Sequence, residues 1–500
     1  MEKTNAYKSH SPQRRRLLKG LATGGAAAAV TPVVALEPKQ SDKISWAKPQ
    51  LEQKIKGKVF WRGDARYELT RASNCYRMNK PNRFPALIVQ PSDDQDVVAA
   101  VKFAAEHGLK VTTRSGGHSW SASHIRDDCL LIDMSRMQTL TIDPETKTLW
   151  TNPGVLGSRI NAELKHHGLL IPTAHHPSPG IGGFAMNGGF GWNSRLTGNG
   201  AAHIMAVDVV TADGELIRAD ENQNTDYLWA ARGSGAGFFG VVTNMKFRCD
   251  PLWKYQKVSA YGFREEQFEE LFTWARDVVV PPYIEMIIVS SKHDRATGLE
   301  TPVGITLAAL ALTNDEAEAD AGLDILKTCP CIDKAYFAVD KRETTIESQY
   351  ASGYSADPAG FRFAADNMYT NAPAEELVPR IKKVFTEQPS PRTHTFWFNW
   401  GPIKPYPDDM ALSVQDDIFI ATYTLWTDPA QDEEMMRWPV AQMQELEDLS
   451  TGGQLNDENL LYHPQNYLSL EANNKLERLR DKYDPNRVFE TFMGSPRKPS

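Results

Sequence analysis

Between His175 and Gly200 the chain reads "HHPSPGIGGFAMNGGFGWNSRLTGNG", with glycine at positions 180, 182, 183, 188, 189, 191, 198 and 200. No packed helix or regular strand carries glycine at that density, because each one loses more conformational freedom on ordering than any other residue and offers no side chain to pack. A region of this kind is backbone laid against a ligand, and the remainder of the chain must bring chemistry to it. The chain is large enough to do so: 500 residues, 41% hydrophobic and 24% charged, leave room for two or three core-bearing units of an ordinary globular protein.

A second glycine feature lies upstream in "VTTRSGGHSW", Val111 to Trp120. Gly116 and Gly117 permit positive φ angles and close backbone approach, so His118 stands at the rim of a space shaped by bare main chain. A histidine there can bind a metal, shuttle a proton or form a covalent bond; a glycine turn with a solvated histidine is the bland alternative. The residues before it, "ALIVQPSDDQDVVAAVKFAAEHGLK", read as a strand over 86–90 and then a helix. Ser92 and Gln95 form a capping box, Val97, Val98, Val101, Ala104 and Ala105 share one face, and Gly108 closes the helix. A second strand ending at Arg114 completes a right-handed βαβ unit, which delivers the Gly-Gly-His loop at a carboxyl end, where open α/β sheets bind ligands.

Short strands follow in "CLLIDM", "TLTID" and "TLWTNPG", with a helix from about 157 to 166. After the glycine-rich region comes a hairpin turning at Asp213-Gly214. "YLWAARGSGAGFFGVVTNMKFR" reads as a short helix, a glycine loop and an edge strand, in which the amides of Gly233, Gly235 and Gly237 can meet a phosphate. Beyond Pro251 strands such as "EMIIVSS", "GITLAALAL", "THTFWFNW" and "DDIFIATYTLW" alternate with amphipathic helices, the pattern of an antiparallel sheet with helices behind it. His394, Phe396, Phe398 and Trp400 share one strand face, and Thr395, Trp397 and Asn399 the other. These aromatics serve as sheet core, and one face can pack while the other lines a pocket.

Charge and termini narrow the function. The first 35 residues carry six Lys/Arg and one Glu, leaving 49 basic against 62 acidic residues in the remainder. Such an acidic body excludes a phosphate-backbone partner, which needs clustered Lys and Arg. "SPQRRRLLKGLATGGAAAAVTPVVAL" resembles a bacterial twin-arginine export signal, with Arg14-Arg15 as the pair and cleavage after Ala35; its apolar part is too short to span a bilayer. Periplasmic or secreted localisation follows, and export of folded protein suits a cofactor loaded before transport. Five cysteines are too few for a disulfide framework. His166-His167 and His175-His176 lack a neighbouring Asp, Glu or Cys cluster, so no metal site is expected.

"RSGGHSW", "HPSPGIGGFAMNGGFGW", "ARGSGAGFFGVVT" and "KYDPNRVF" occur in the order and approximate spacing of the berberine bridge enzyme-like group of FAD-linked oxidases, within the vanillyl-alcohol oxidase superfamily, and the resemblance runs from about Trp61 to Phe489. It implies an α+β fold: a two-subdomain PCMH-type FAD-binding domain plus a substrate domain whose antiparallel sheet is backed by helices. The corresponding organisation is residues 1–35 signal, 36–250 FAD domain, 251–461 substrate domain, and 462–500 returning to the FAD domain. The resemblance implies covalent FAD, through an 8α-histidyl bond at His118. It also implies flavin contacts from Arg114, Ser115, Gly116, Gly117 and Ser119, and from His176, Pro177, Gly180, Ile181, Gly182, Gly183, Asn187, Gly188, Gly191 and Trp192. Gly240, Val241, Val242 and Asn486 complete that set.

The pattern departs from the family in two places. Many members carry a second link through a cysteine in Cys-Pro-x-x-Gly-x-Gly-Gly, but this chain has His176 there, so a single histidyl link is expected. Asn187 replaces a glycine before Gly188-Gly189. The family's base is often a tyrosine in Tyr-x-Asn-Tyr; "YHPQNYLSL" supplies Asn466-Tyr467 in register with Pro464 in place of the first tyrosine. Tyr467 is therefore the first candidate base, which requires its pKa to be lowered from about 10, with His463, Tyr462 and His394 competing. Ile181 aligns with a position that lines the oxygen pocket in the family, which favours a quinone or haem protein over O2 as electron acceptor. The expected reaction takes a hydride from an alcohol carbon on a phenolic, polycyclic or sugar ring, with cyclic-amine oxidation, or an exported flavin-binding protein without turnover, as the alternatives.

Overall fold

The computed structural model describes residues 44–293, 300–401 and 406–494. The N-terminal segment read as an export signal lies outside the described residues. Among the described residues no helix is long and apolar enough to cross a membrane.

The first sheet contains β1 (Lys58–Trp61), β2 (Leu87–Gln90), β3 (Val111–Arg114) and β4 (Leu130–Asp133) in the order β1-β2-β4-β3. β2 and β3 both run parallel to β4, so the strand-helix-strand unit forms with β4 inserted between its two strands. Its helix, Asp94–Glu106, buries Val97, Ala100, Val101 and Ala104 against the sheet. The cap differs from the sequence reading. Asp93 is the N-cap and accepts from the Asp96 amide, because the buried Asp96 carboxylate turns inward and gathers the Ser92 amide and hydroxyl with the Lys56 and Gly57 amides.

Seven short strands follow: β5 (Leu140–Asp143), β6 (Thr148–Thr151), β7 (Leu169–Leu170), β8 (Ile204–Val210), β9 (Leu216–Asp220), β10 (Val241–Arg248) and β11 (Asp250–Pro251). Five of them form a sheet in the order β5-β6-β10-β8-β9, and β7 pairs with β11. β8 and β9 make the expected hairpin, with Gly214 at φ +73° in its turn. β10 is central rather than an edge strand. It lies between β6 and β8, and Val241, Val242, Thr243, Met245 and Phe247 are buried from both faces.

The third sheet is entirely antiparallel: β12 (Tyr255–Phe263), β13 (Ile284–His293), β14 (Glu300–Thr313), β15 (Phe337–Glu343), β16 (Arg362–Thr370), β17 (His394–Asn399) and β18 (Ile418–Trp426), ordered β15-β12-β14-β13-β17-β18-β16. Alternation along each strand splits it into two faces. Met286, Ile288, Ile305, Trp397 and Ile420 pack with Phe268 and Phe272 of the helix Phe268–Asp277 and Phe385 of the helix Ala374–Thr386. Ile287, Phe396 and Phe398 occupy the opposite face and look into a cavity. Cys329 and Cys331 lie in the helix-side core as thiols, their sulfurs 3.5 Å apart.

The C-terminal helix Leu470–Tyr483 places Leu476 in the core of the second sheet. The chain then returns to β3: Phe489 bridges Val111 in parallel, the Val111 amide donates to the Val488 carbonyl at 2.7 Å, and the Glu490 amide to the Val111 carbonyl at 3.0 Å. The last residues thus brace the strand that delivers His118.

Candidate active site

Glycine is needed where the two loops cross. A Cβ on Gly116 would stand 2.2 Å from the Gly180 amide nitrogen, and one on Gly180 would stand 2.5 Å from Ser115 Oγ. Only bare backbone allows that approach. The crossing is fixed from below by Arg114, paired at 2.8 Å with the buried Asp133 of β4, and by the Ser115 hydroxyl donating to the Pro153 carbonyl. Gly117, at φ +76°, then turns the chain so that His118 faces a cavity of ≈ 490 Å³.

His118 stacks on Tyr76, with ring centroids 4.2 Å apart, and its Nε2 lies 2.8 Å from Ser178 Oγ. Ser178 Oγ is also 3.0 Å from His176 Nδ1, and the Ser178 amide donates to that same nitrogen at 3.2 Å. Burial, then the proximity of His176 and Arg114, pushes the His118 imidazole down to about 3, so it is neutral at working pH. The loop beyond is held by Glu458, whose carboxylate accepts from Ser119 Oγ (2.5 Å), the Ser121 amide (3.1 Å) and Ser121 Oγ (3.2 Å).

The third sheet roofs the cavity with Ile287 and Val289 of β13, Phe396 and Phe398 of β17, and Phe419 and Tyr423 of β18. At one end the His394 ring stacks on Tyr423 at 5.0 Å, and its Nε2 lies 3.7 Å from Asp357. Asp457 faces the same space. Its carboxylate accepts from Trp120 Nε1 at 3.2 Å and interacts with the Tyr423 hydroxyl, while burial pushes its pKa up to about 6. Burial, and then Asp457 and Asp357, drive the Tyr423 phenol well above its ordinary value.

Of the residues singled out from sequence, Arg114, Ser115, Gly116, Gly117, His118, Ser119, His176, Gly180, Gly182, Gly183, Asn187, Trp192, Gly240, Val242 and His394 line this cavity. Others do not. Val241 is sheet core, Gly188 packs on Leu412, Gly191 on Thr173, and the Pro177 carbonyl accepts from Ser158. Asn486 is exposed, with its carbonyl near Lys110 Nζ. Ile181 is buried in the core of the second sheet, so its side chain does not border the cavity.

The candidate bases lie apart from one another. Tyr467 lines a separate cavity of ≈ 340 Å³ and its hydroxyl accepts from the Asn459 amide. Burial, Asp366 and Glu458 all raise its pKa, the opposite of what a base requires. His463 is buried beside Asp366 at 2.8 Å, away from the large cavity. Tyr462 is half exposed. The groups that do converge include Tyr76, Asp357, Tyr423 and Asp457, which the sequence reading passed over. Tyr423 was within reach, since it shares a face of β18 with Phe419.

The cavity fits a flavin dinucleotide. It runs from β3 and the Phe489–Thr491 segment, past the Gly235-Ala236 turn, to the third sheet. Among the described residues Thr112 Oγ1 and Arg114 Nε are buried there without a hydrogen-bond partner, as ligand-directed donors would be. Residues 85–220 match the family described as FAD binding domain. The chain is 30% identical over 436 residues to the FAD-linked oxidoreductase nodO of Hypoxylon pulicicidum, covering 85% of this chain and 95% of that one.

The chain belongs to the FAD-linked oxidoreductases.

The fold is similar to those of solved oxidase structures. Physcomitrella patens BBE-like 1 superposes with a TM-score of 0.76 at 20% identity, covering 89% of this chain and 97% of that chain. The xylooligosaccharide oxidase from Myceliophthora thermophila C1, solved with xylobiose, gives 0.73 at 20% identity over 90% and 99%. As an FAD-linked oxidoreductase, the protein binds FAD and acts on a small molecule.

Proposed function

We propose that His118 carries the FAD covalently, and that the enzyme oxidises an alcohol carbon on a ring-containing small molecule with Asp457 and Tyr423 receiving the proton. The observation that carries this is the convergence on one cavity of a neutral imidazole on one wall and a carboxylate–phenol pair on the roof. Bound FAD supplies the hydride-accepting chemistry.

The residues around His118 select its reactive form. His176 Nδ1 accepts the Ser178 amide and so carries no proton; the Ser178 hydroxyl therefore donates to it and accepts from His118 Nε2–H. That leaves the lone pair on His118 Nδ1, where a nucleophile must have it. On the roof, Asp457 is ionised above about pH 6 and can take the proton of a substrate hydroxyl directly or through Tyr423. Trp120 holds the carboxylate in place.

Carboxylates on the cavity wall, among them Glu285, Asp357 and Asp457, favour a protonated amine as the second reading. Two experiments test these proposals. The His118 peptide of the digested protein should carry the mass of FAD; a bare peptide refutes the covalent link. Anaerobic flavin bleaching by an alcohol panel and not an amine panel supports the alcohol reading, and the reverse result replaces it. O2, a quinone and a haem protein are compared as oxidants of the bleached enzyme. We further propose twin-arginine export, tested by whether changing Arg14-Arg15 to Lys-Lys traps the precursor in the cytoplasm.

A further inference from the structure

The cavity has a second polar end. Glu285, on β13, lines it and is 4% exposed. Its Oε1 accepts from the Asn193 amide, and its Oε2 lies 3.9 Å from His175 Nε2 without a hydrogen bond from the described residues. Arg195 supplies positive charge nearby but directs its donors elsewhere, to the carbonyls of Val280, Pro281, Ile284, Trp400 and Gly401. A carboxylate buried to this degree is costly unless its acceptor positions are filled. One position on Glu285 stays open, and it borders the cavity beside Trp192, against which the His175 ring packs at 4.1 Å.

Between the two polar ends the roof is apolar: Ile287, Val289, Phe396 and Phe398. A sugar chain presents hydroxyls along its whole length and would leave them unpaired against this stretch. The span is set by the strand. Ser291 pairs with His394 at the catalytic end and lies six residues beyond Glu285 on β13, roughly 20 Å at the rise of a strand. A donor that reaches Glu285 from a carbon held near His394 therefore belongs to a molecule longer than a single ring.

We propose that Glu285 forms a recognition subsite for a hydrogen-bond donor on the substrate, remote from the carbon that is oxidised, so that the substrate is an elongated multi-ring alcohol with an apolar middle. This rests on the reading of the cavity as the flavin site. His175 and Trp192 wall the subsite, and the donor completes the coordination of Oε2.

The test titrates purified holoenzyme with three compounds and reads the perturbation and anaerobic bleaching of the flavin spectrum. They are 5α-androstane-3β,17β-diol, 5α-androstan-3β-ol, which has the same ring body without the remote donor, and xylobiose. The proposal expects the diol to bind about tenfold or more tighter than the mono-ol. In Glu285→Gln, which keeps an acceptor for Asn193 but turns a donor toward the ligand, that preference should fall to near unity, with the change in KM rather than kcat. Equal binding of the two steroids by wild type, bleaching by xylobiose alone, or no response to either steroid overturns it. Failure of the flavin reading is separate, because the purified protein would then carry no flavin spectrum to perturb.

Discussion

Replacing Glu458 with glutamine isolates one buried charge at the hinge between the His118 loop and the C-terminal segment. Glu458 is 3% exposed, and among the described residues every hydrogen bond it receives comes from Ser119 or Ser121. Those donors favour the carboxylate, but burial outweighs them and raises the pKa from 4.5 to about 7; Arg77 pulls the other way. An acid whose folded pKa is raised binds its proton more tightly in the folded state, so its stabilisation is complete below the unfolded value and is lost as pH climbs from 4.5 to about 7. At about 1.4 kcal/mol per pH unit, the loss is about 3 kcal/mol. Glutamine mimics the protonated form at every pH, so the variant should gain about 3 kcal/mol relative to wild type between pH 4.5 and 8.5. Urea denaturation of both proteins at the two pH values measures this, and taking the difference cancels groups that titrate identically in each. Asp457 is adjacent in sequence, but its carboxylate turns to Trp120 and Gln454. A difference between wild type and variant that stays constant within about 0.5 kcal/mol would show that Glu458 titrates normally, and the burial argument would be wrong.

Gly180→Ala should destabilise the protein by about 3 kcal/mol and lower its flavin content, because the new Cβ would stand 2.5 Å from Ser115 Oγ and 2.7 Å from the Gly116 amide nitrogen. Thermal unfolding and the flavin-to-protein absorbance ratio check both effects. Asp457→Asn should slow anaerobic flavin reduction by about 10²- to 10⁴-fold with little change in KM. The wild-type reduction rate should fall as pH drops through about 6, where Asp457 takes up its proton, and the variant should lose that limb. Tyr467→Phe removes the acceptor of the Asn459 amide at 3.3 Å and should cost about 1–3 kcal/mol of stability while leaving the reduction rate within a few-fold. A hundredfold drop in rate would restore Tyr467 as the base.

Legibility in the sequence followed the range of the interaction concerned. The helix Asp94–Glu106 and the hairpin of β8 and β9 were readable because their signals, periodicity and an Asp-Gly turn, are local. The pairing of β2 with β4 was not, because insertion of a later strand between two earlier ones leaves no mark in either segment. The same distinction holds within the site. Gly116 and Gly180 lie 64 positions apart, yet both were identifiable, since each loop declares by its glycines that something approaches closely. Asp457 gives no such sign. It stands in "LNDENLL" between two other acid–amide neighbours, and only the fold sends Asp457 to Trp120 while Glu458 turns to Ser119 and Ser121.

The separation of Tyr467 from the large cavity has the same origin. A tyrosine placed by motif register carries no information about which cavity its hydroxyl enters, and here Asp366 and Glu458 surround it with negative charge. The affinity of Asp457 for a proton reflects the balance of burial against donors, and that balance is set by residues from distant segments: Trp120 from the first loop and Tyr423 from the roof, around Asp457 on the strap that follows the third sheet. A substitution at Trp120 should therefore act on the pH profile of flavin reduction, moving the Asp457 limb upward, even though no Trp120 atom need touch the proton that is transferred.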